Sequence, residues 1–388
     1  MDFTLSDEQR FIKETAKSFL AEVSSSSMVR KAMESPSFYL EDVWQRVASE
    51  MAFPALTIPQ ECGGLSLSMV ELVLLLEEMG AALFCGPFFE TAMATQALLL
   101  GETSAQKKKW LCAIAKEGLK VTLAYPMPHE NARENRVFYE KKDGDTFLTG
   151  QVKKLAQGTQ SDLILVAAQR KGGQEEALSL FAISKKDKGV MLESLPTMDT
   201  TKPLAKMNLH QVKVKPENLL FEQDKAHVPL SLWLNLHRLG IAAEALGGAQ
   251  KTLDMTVSYT KERVQFGRQI ASFQAVKHKA ADMMVRVEAA RSGVYYAALL
   301  AKKALSDGAT EGMKEEFSFA AMTAKAYASD AFFQNAAEAI QLHGGAGFSF
   351  EYDVHLYFKR ARRLKEEAGS VPYLREQMAL WMLEKENV

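Results

Sequence analysis

Cysteine is scarce. The 388 residues hold three, Cys62, Cys85 and Cys112. They are too few and too scattered for a disulfide framework or a zinc site, and the expected compartment is a reducing one. Long apolar runs are missing too, since none reaches the ~18 residues that a membrane-spanning helix needs. Neither sign of charge is in excess. The chain has 47 Lys and Arg against 48 Asp and Glu, a net charge of −1, which gives no overall pull toward nucleic acid or an anionic membrane. Asp2, Asp7 and Glu8 make the start acidic, unlike an organelle-targeting peptide, and no secretory apolar core follows. There is no Ser-His-Asp order, Walker loop or His-Glu-x-x-His, and no internal repeat of about 20–50 residues. With 47% hydrophobic and 24% charged residues, the balance is that of a globular chain. Its length allows two or three domains of roughly 100–200 residues. The expectation is a cytoplasmic, multi-domain protein that binds neither nucleic acid nor metal.

What is present has an α, then β, then α order, an α+β multi-domain chain. Residues 1–120 read as helices: Ser6 and Gln9 have capping-box spacing, and Ile12, Ala16, Phe19, Leu20 and Val23 follow with helical period. Residues 121–224 read as an antiparallel β domain. Asp143-Gly144 is a hairpin signal, and short apolar runs at Leu163–Val166 and Leu178–Ile183 are separated by polar turns. Residues 225–388 return to helical period, with long candidates at Leu230–Tyr259, Lys277–Ala304 and Glu315–Leu342.

Four local features bear on function. Arg263 and Arg268 flank Gly267, which is expected to break the long helix. Two guanidinium groups there suit a phosphate or pyrophosphate; the plain alternative is a capped helix end with solvated arginines. Gly344, Gly345 and Gly347 form a turn after a helix that permits close backbone approach to a ligand; it is equally a helix cap. Lys359-Arg360-Ala361-Arg362-Arg363-Leu364-Lys365 is a basic run, either a solvated helix face or an anchor for an anion. His237, Arg238 and Glu244 lie on one helix, with His237 and Glu244 two turns apart on nearly the same face in an apolar stretch. A carboxylate there is paired in the core or poised for proton transfer.

Taken together, these residues resemble the acyl-CoA dehydrogenase family over essentially the whole chain. Arg263-Val264-Gln265-Phe266-Gly267 with Phe273-Gln274 is similar to the family's central signature, Gln341 with Gly344-Gly345 and Gly347-Phe348 to the C-terminal one, and Ile58-Pro59-Gln60-Glu61-Cys62-Gly63-Gly64 to an N-terminal turn. The resemblance implies an N-terminal α-helical domain, a middle β-barrel-like domain and a C-terminal four-helix bundle. It implies FAD lying across a dimer interface, with Arg263, Gln265 and Phe266 at its adenine-diphosphate end. Gln274, Gln341, Gly344, Gly345 and Ser370 would help hold it. It also implies α,β-dehydrogenation of an acyl-CoA thioester, with electrons passing to an electron-transfer flavoprotein or similar acceptor, in a homo- or hetero-dimer or tetramer.

The chain departs from the family pattern where the base should be. The commonest base is a Glu before Gly-Thr; here that position is Ala368, before Gly369-Ser370. The second known position, just before an Arg on the long helix, holds His237, before Arg238. Glu244 ranks first as the replacement base, with Arg238 beside it; Glu366, Glu367 and His237 are the others. In the middle domain, Ala124-Tyr125-Pro126-Met127-Pro128-His129-Glu130 and Lys154-Leu155-Ala156 stand where the family contacts the flavin ring. The segment from His355 to Ala361 resembles heteromeric members that act on sterol side-chain thioesters. Two readings stay open: a dehydrogenase for a bulky or unusual acyl group, working alone or as one subunit of a heteromer, and a non-catalytic scaffold subunit.

Overall fold

The structure is a computed structural model that describes residues 5–100, 105–127, 135–174 and 177–386. The first helices are α1 (Asp7–Val23), α2 (Ser26–Glu34), α3 (Glu41–Gln45), α4 (Met69–Ala81), α5 (Phe88–Leu99) and α6 (Ala105–Glu117). Seven strands follow: β1 (Val121–Ala124), β2 (Val137–Lys142), β3 (Asp145–Ala156), β4 (Leu163–Arg170), β5 (Leu178–Ser184), β6 (Val190–Leu195) and β7 (Leu204–Val214). Then come α7 (His227–Glu262), the short strands β8 (Val264–Gln265) and β9 (Arg268–Gln269), α8 (Gln274–Ala304), α9 (Glu311–His343), α10 (Val354–Glu366) and α11 (Val371–Glu386). The chain makes two compact units, each interleaved along the sequence.

One unit comprises Lys31–Ser68 and Cys85–Leu236. Its sheet runs β1-β4-β2-β3-β7-β6, with β5 also on β4. Asp143 and Gly144 take positive φ, 52° and 85°, and close the β2–β3 hairpin that the Asp-Gly pair announces. β4 is buried on both faces over seven of its eight residues, which explains its unbroken apolar run. The sheet is mixed rather than wholly antiparallel, because β1 and β2 both run parallel to β4. Alternation and apolar runs give a strand's faces and not its direction. The position of β1 is set by helix α5 instead: Thr91 Oγ1 accepts from Val121 N at 3.1 Å and donates to Val121 O. The pairing path among the described strands is open, so the sheet is not a closed barrel. Ile164, Val166, Phe181, Met207, Leu209 and Val212 fill its core.

The other unit comprises Met1–Arg30, Met69–Phe84 and His237–Val388. Ser6 and Gln9 form the expected capping box on α1, and Ala16, Phe19, Leu20 and Val23 are its buried face. From His237 onward, α7 is buried nearly all round as far as Ala249. With α8, α9 and α10 it makes the four-helix bundle, and α11 packs on α9 through Met322, Ala326, Val371 and Leu374. Helix α4 crosses α7 at glycines. A Cβ on Gly247 would lie 1.8 Å from Glu77 O, and one on Gly80 2.1 Å from Glu244 O. That close backbone approach brings Glu77 among Lys13 Nζ (2.7 Å), the Tyr295 hydroxyl (2.8 Å) and the Arg291 guanidinium. A buried carboxylate needs such partners.

Gly247→Ala should therefore lower the thermal midpoint by several degrees, because overpacking against rigid backbone costs about 1–3 kcal/mol. Gly293→Ala in α8, whose Cβ meets nothing within 4 Å, should hold or raise the midpoint. Calorimetry of both variants checks the contrast.

Candidate functional site

Helix α7 ends at Glu262, five residues before Gly267. Gly267 is therefore not the helix breaker that the sequence suggests. With Phe266 (φ 53°) and its own φ of 75°, it forms the tip of the β8–β9 hairpin, a turn that needs positive φ at both central residues. Arg263, Gln265 and Phe266 are all exposed, and Phe266 is 91% exposed. Arg268 is stacked over the Phe273 ring at 4.1 Å. The glycine-rich turn caps α9, with Gly344 at φ 60°. A Cβ on Gly267, Gly344 or Gly345 would meet nothing within 4 Å, so these turns are not filled by the protein's own side chains.

The structure draws the two turns together. The Tyr259 hydroxyl, one turn before Arg263, donates to His343 O at 3.2 Å, and the two rings stack at 4.2 Å. Gln341 lines a hollow of about 510 Å³ between the start of α8 and the end of α9, with Ala275, Val276 and Lys279; Gln274 is the first residue of α8. Ser370 belongs elsewhere, at the start of α11, where its carbonyl accepts from Leu374 N. Of the middle-domain positions, Pro128, His129 and Glu130 lie outside the described residues. Leu155 is in the sheet core, and Ala156 O accepts from Thr122 Oγ1 at 2.9 Å.

A second constellation sits where α7 faces α10. His237 Nε2 is 3.6 Å from Glu367 Oε1, and Glu244 Oε1 is 3.7 Å from Arg360 Nη1. The members of each pair of positions are seven residues apart on their own segment, so one face of α7 meets one face of α10. Glu244 and Arg360 are 4% and 1% exposed. Such enclosure with a guanidinium suits a structural ion pair, one of the two roles that the sequence leaves open for Glu244. Glu366 turns outward to Arg362 at 3.1 Å on the surface. Glu367 turns inward, and its Oε2 accepts from Arg363 Nε at 3.2 Å. Arg238 Nε donates to Ala368 O at 3.1 Å. Lys325 Nζ, fully buried on α9, donates to Lys365 O at 3.0 Å and to Gly369 O. Burial draws the Lys325 ammonium down to about 7, while the Glu367 charge pulls the other way.

The basic run is thus not simply a solvated face. Arg360 and Arg363 turn inward with Tyr357 and Leu364, while Arg362 stays out. Their i, i+3, i+6, i+7 spacing keeps to one side of the helix and was the available signal. Glu367 follows Arg360 by seven residues and so continues that face, and the chain then reverses through positive φ at Ala368 (57°) and Gly369 (112°).

Arg360→Met should unfold the protein several degrees earlier, since removing one partner of a buried pair costs about 3–5 kcal/mol. Combining it with Glu244→Leu should restore most of the loss. Denaturant unfolding of the two singles and the double measures this coupling.

Residues 227–383 match the acyl-CoA dehydrogenase C-terminal domain and residues 6–118 the N-terminal domain. The acyl-CoA dehydrogenase IpdE2 of Mycobacterium tuberculosis (strain ATCC 25618 / H37Rv) is 31% identical over 355 residues, 92% of this chain and 91% of that one. The chain belongs to the acyl-CoA dehydrogenase family. Its reaction class is accordingly oxidoreduction at the CH–CH bond of an acyl-CoA. The caffeyl-CoA reductase-Etf complex subunit CarC of Acetobacterium woodii (strain ATCC 29683 / DSM 1030 / JCM 2381 / KCTC 1655 / WB1) is 28% identical, with 92% of this chain and 93% of that one covered. A variant of the Tcur3481–Tcur3483 steroid ACAD superimposes with a TM-score of 0.85 at 25% identity, over 99% of this chain and 100% of that one. Among the described residues, no helix is long and apolar enough to cross a membrane.

Proposed function

We propose that this family member dehydrogenates the α,β bond of a bulky or otherwise unusual acyl-CoA thioester, uses FAD, and has Glu367 as its base in place of Glu244. One observation carries the reading. The family's two base positions, His237 on the helix and Ala368 in the loop, both lack a carboxylate here, yet they adjoin in space: Arg238, next to His237, binds Ala368 O. The Glu367 carboxylate reaches that place, 3.6 Å from His237. The substitution moves the carboxylate by one residue and keeps it at the junction.

The residues present fit the cofactor. Exposed Arg263 and Gln265 with open backbone at Gly344 and Gly345 suit an adenine dinucleotide, since guanidinium and bare N–H groups are pyrophosphate ligands. Bound there, FAD would supply the acceptor for the hydride that leaves the β carbon. The chain's own task is the proton. Glu367, 16% exposed in its side chain, is desolvated enough to act as a base, and His237 against it can pass the proton on. Arg238 acts by holding the loop carbonyl rather than by touching the proton.

Phe266, Phe348 and Phe350 stand out into solvent, an apolar surface of the kind that a second subunit covers. The likeness to a two-component steroid ACAD supports an unlike partner and a wide acyl group, and the likeness to an Etf-complex subunit supports an electron-transfer flavoprotein as acceptor.

The test is spectroscopic. The purified chain, alone or with a partner subunit, should be yellow and should bleach anaerobically with a branched or polycyclic acyl-CoA. Glu367→Gln should slow bleaching about 100-fold or more, whereas Glu244→Gln, assayed below its lowered melting point, should stay within a few-fold. Bleaching of Glu367→Gln at the wild-type rate removes Glu367 from the role. A colourless chain in every assembly selects the scaffold reading instead.

A further inference from the structure

We propose that Lys325 is a positioning residue for the proton-transfer step: from α9 it clamps the loop between α10 and α11 on both sides of Glu367 and so sets where that carboxylate stands. The inference rests on Glu367 being the base.

The loop has little to hold itself in place. It reverses through two consecutive positive-φ residues, Ala368 and Gly369. Its flanking backbone bonds are Glu367 N to Arg363 O and Leu374 N to Ser370 O. The carbonyls left over at a helix end need other donors. Here they come from side chains on other helices. Lys325 Nζ takes Lys365 O, two residues before Glu367, and Gly369 O, two residues after it. Arg238 Nε, from α7, takes Ala368 O between them. Glu367 therefore sits inside a bracket whose ends are both fixed by one ammonium. Releasing that ammonium leaves Lys365 O and Gly369 O without their shared donor, and the 3.6 Å separation from His237 then depends on Arg238 at Ala368 O and on the Glu367 N–Arg363 O bond. A displacement of about 1 Å in a reacting group can cost about 100-fold in rate.

The groups facing Lys325 are Glu367 and Glu366, which favour its charge, and Arg238 and Lys365, which oppose it. Burial outweighs them and brings the ammonium to about 7. The charged form grips carbonyls more strongly than the neutral amine, so the clamp loosens as pH rises through about 7.

A merely structural lysine and a positioning one differ in their coupling to Glu367. In the full, flavin-loaded protein, Lys325→Met should lower kcat about 10- to 100-fold with KM changed less than about threefold. The fall in wild-type kcat above about pH 7 should be absent from its profile. In the Glu367→Gln background the same substitution should change kcat less than about twofold. An equal loss in both backgrounds, or a loss confined to KM, overturns the proposal. Hydrogen exchange reads the loop without any turnover: amides 366–371 should exchange at least about tenfold faster in Lys325→Met, with the sheet unit unchanged. Unchanged exchange at 366–371 also overturns it. Failure of the base reading is seen separately, as a Glu367→Gln variant with wild-type kcat.

Discussion

Glu367 lies between an imidazole on α7 and a guanidinium one turn back on α10. Beside it, the loop carbonyls of Ala368 and Gly369 are held by Arg238 and Lys325. Such an arrangement is stable only as a set, because each buried charge relies on its neighbours to offset the cost of leaving water. The packing of α7, α9 and α10, the reversal after α10 and the direction of one carboxylate are consequently a single constraint. The Glu244–Arg360 pair two turns away extends it along the same seam, and the pair of contacts fixes the register of α7 against the end of the bundle.

The two exposed turns have the opposite character. Among the described residues, a Cβ on Gly267, Gly344 or Gly345 would meet nothing within 4 Å, and the Tyr259–His343 stack joins the ends of the helices that carry these turns. A rim of guanidinium, amide and bare backbone is suited to a phosphate-bearing partner, and its projecting aromatic rings to another protein surface. On the proposed reading, the polar seam inside would handle the proton and the open rim outside would hold the cofactor.

Much of the architecture is written in local periodicity. The helical stretches beginning near Leu230, Lys277 and Glu315 appear as α7, α8 and α9 with ends moved by a few residues, and Asp143-Gly144 closes its hairpin. Strand direction is another matter: β1 and β2 run parallel to β4, and no residue in them encodes that, because partners far along the chain decide it. The site was half legible. His237 and Glu244 were readable as sharing a face, and so they do. What they face was hidden in a run of basic residues whose inward members, Arg360 and Arg363, look in sequence like their outward neighbour Arg362. Glu366 and Glu367 differ by their helical position, one four residues after outward Arg362 and the other four after inward Arg363. An alanine at positive φ leaves no trace in composition.

The crossing of α4 and α7 at Gly80 and Gly247 also has a bearing on how the chain is made. The helices that cross here come from distant parts of the polypeptide, with the 145 residues between Ala81 and His227 synthesised between them. During translation α1 and α4 emerge long before their partner surface exists, and their apolar faces must stay covered by other means until then. Non-local closure of this sort is slow, so a nascent chain halted before α7 would be prone to aggregate, and no cut placed between the two unit types would release a C-terminal fragment able to stand alone.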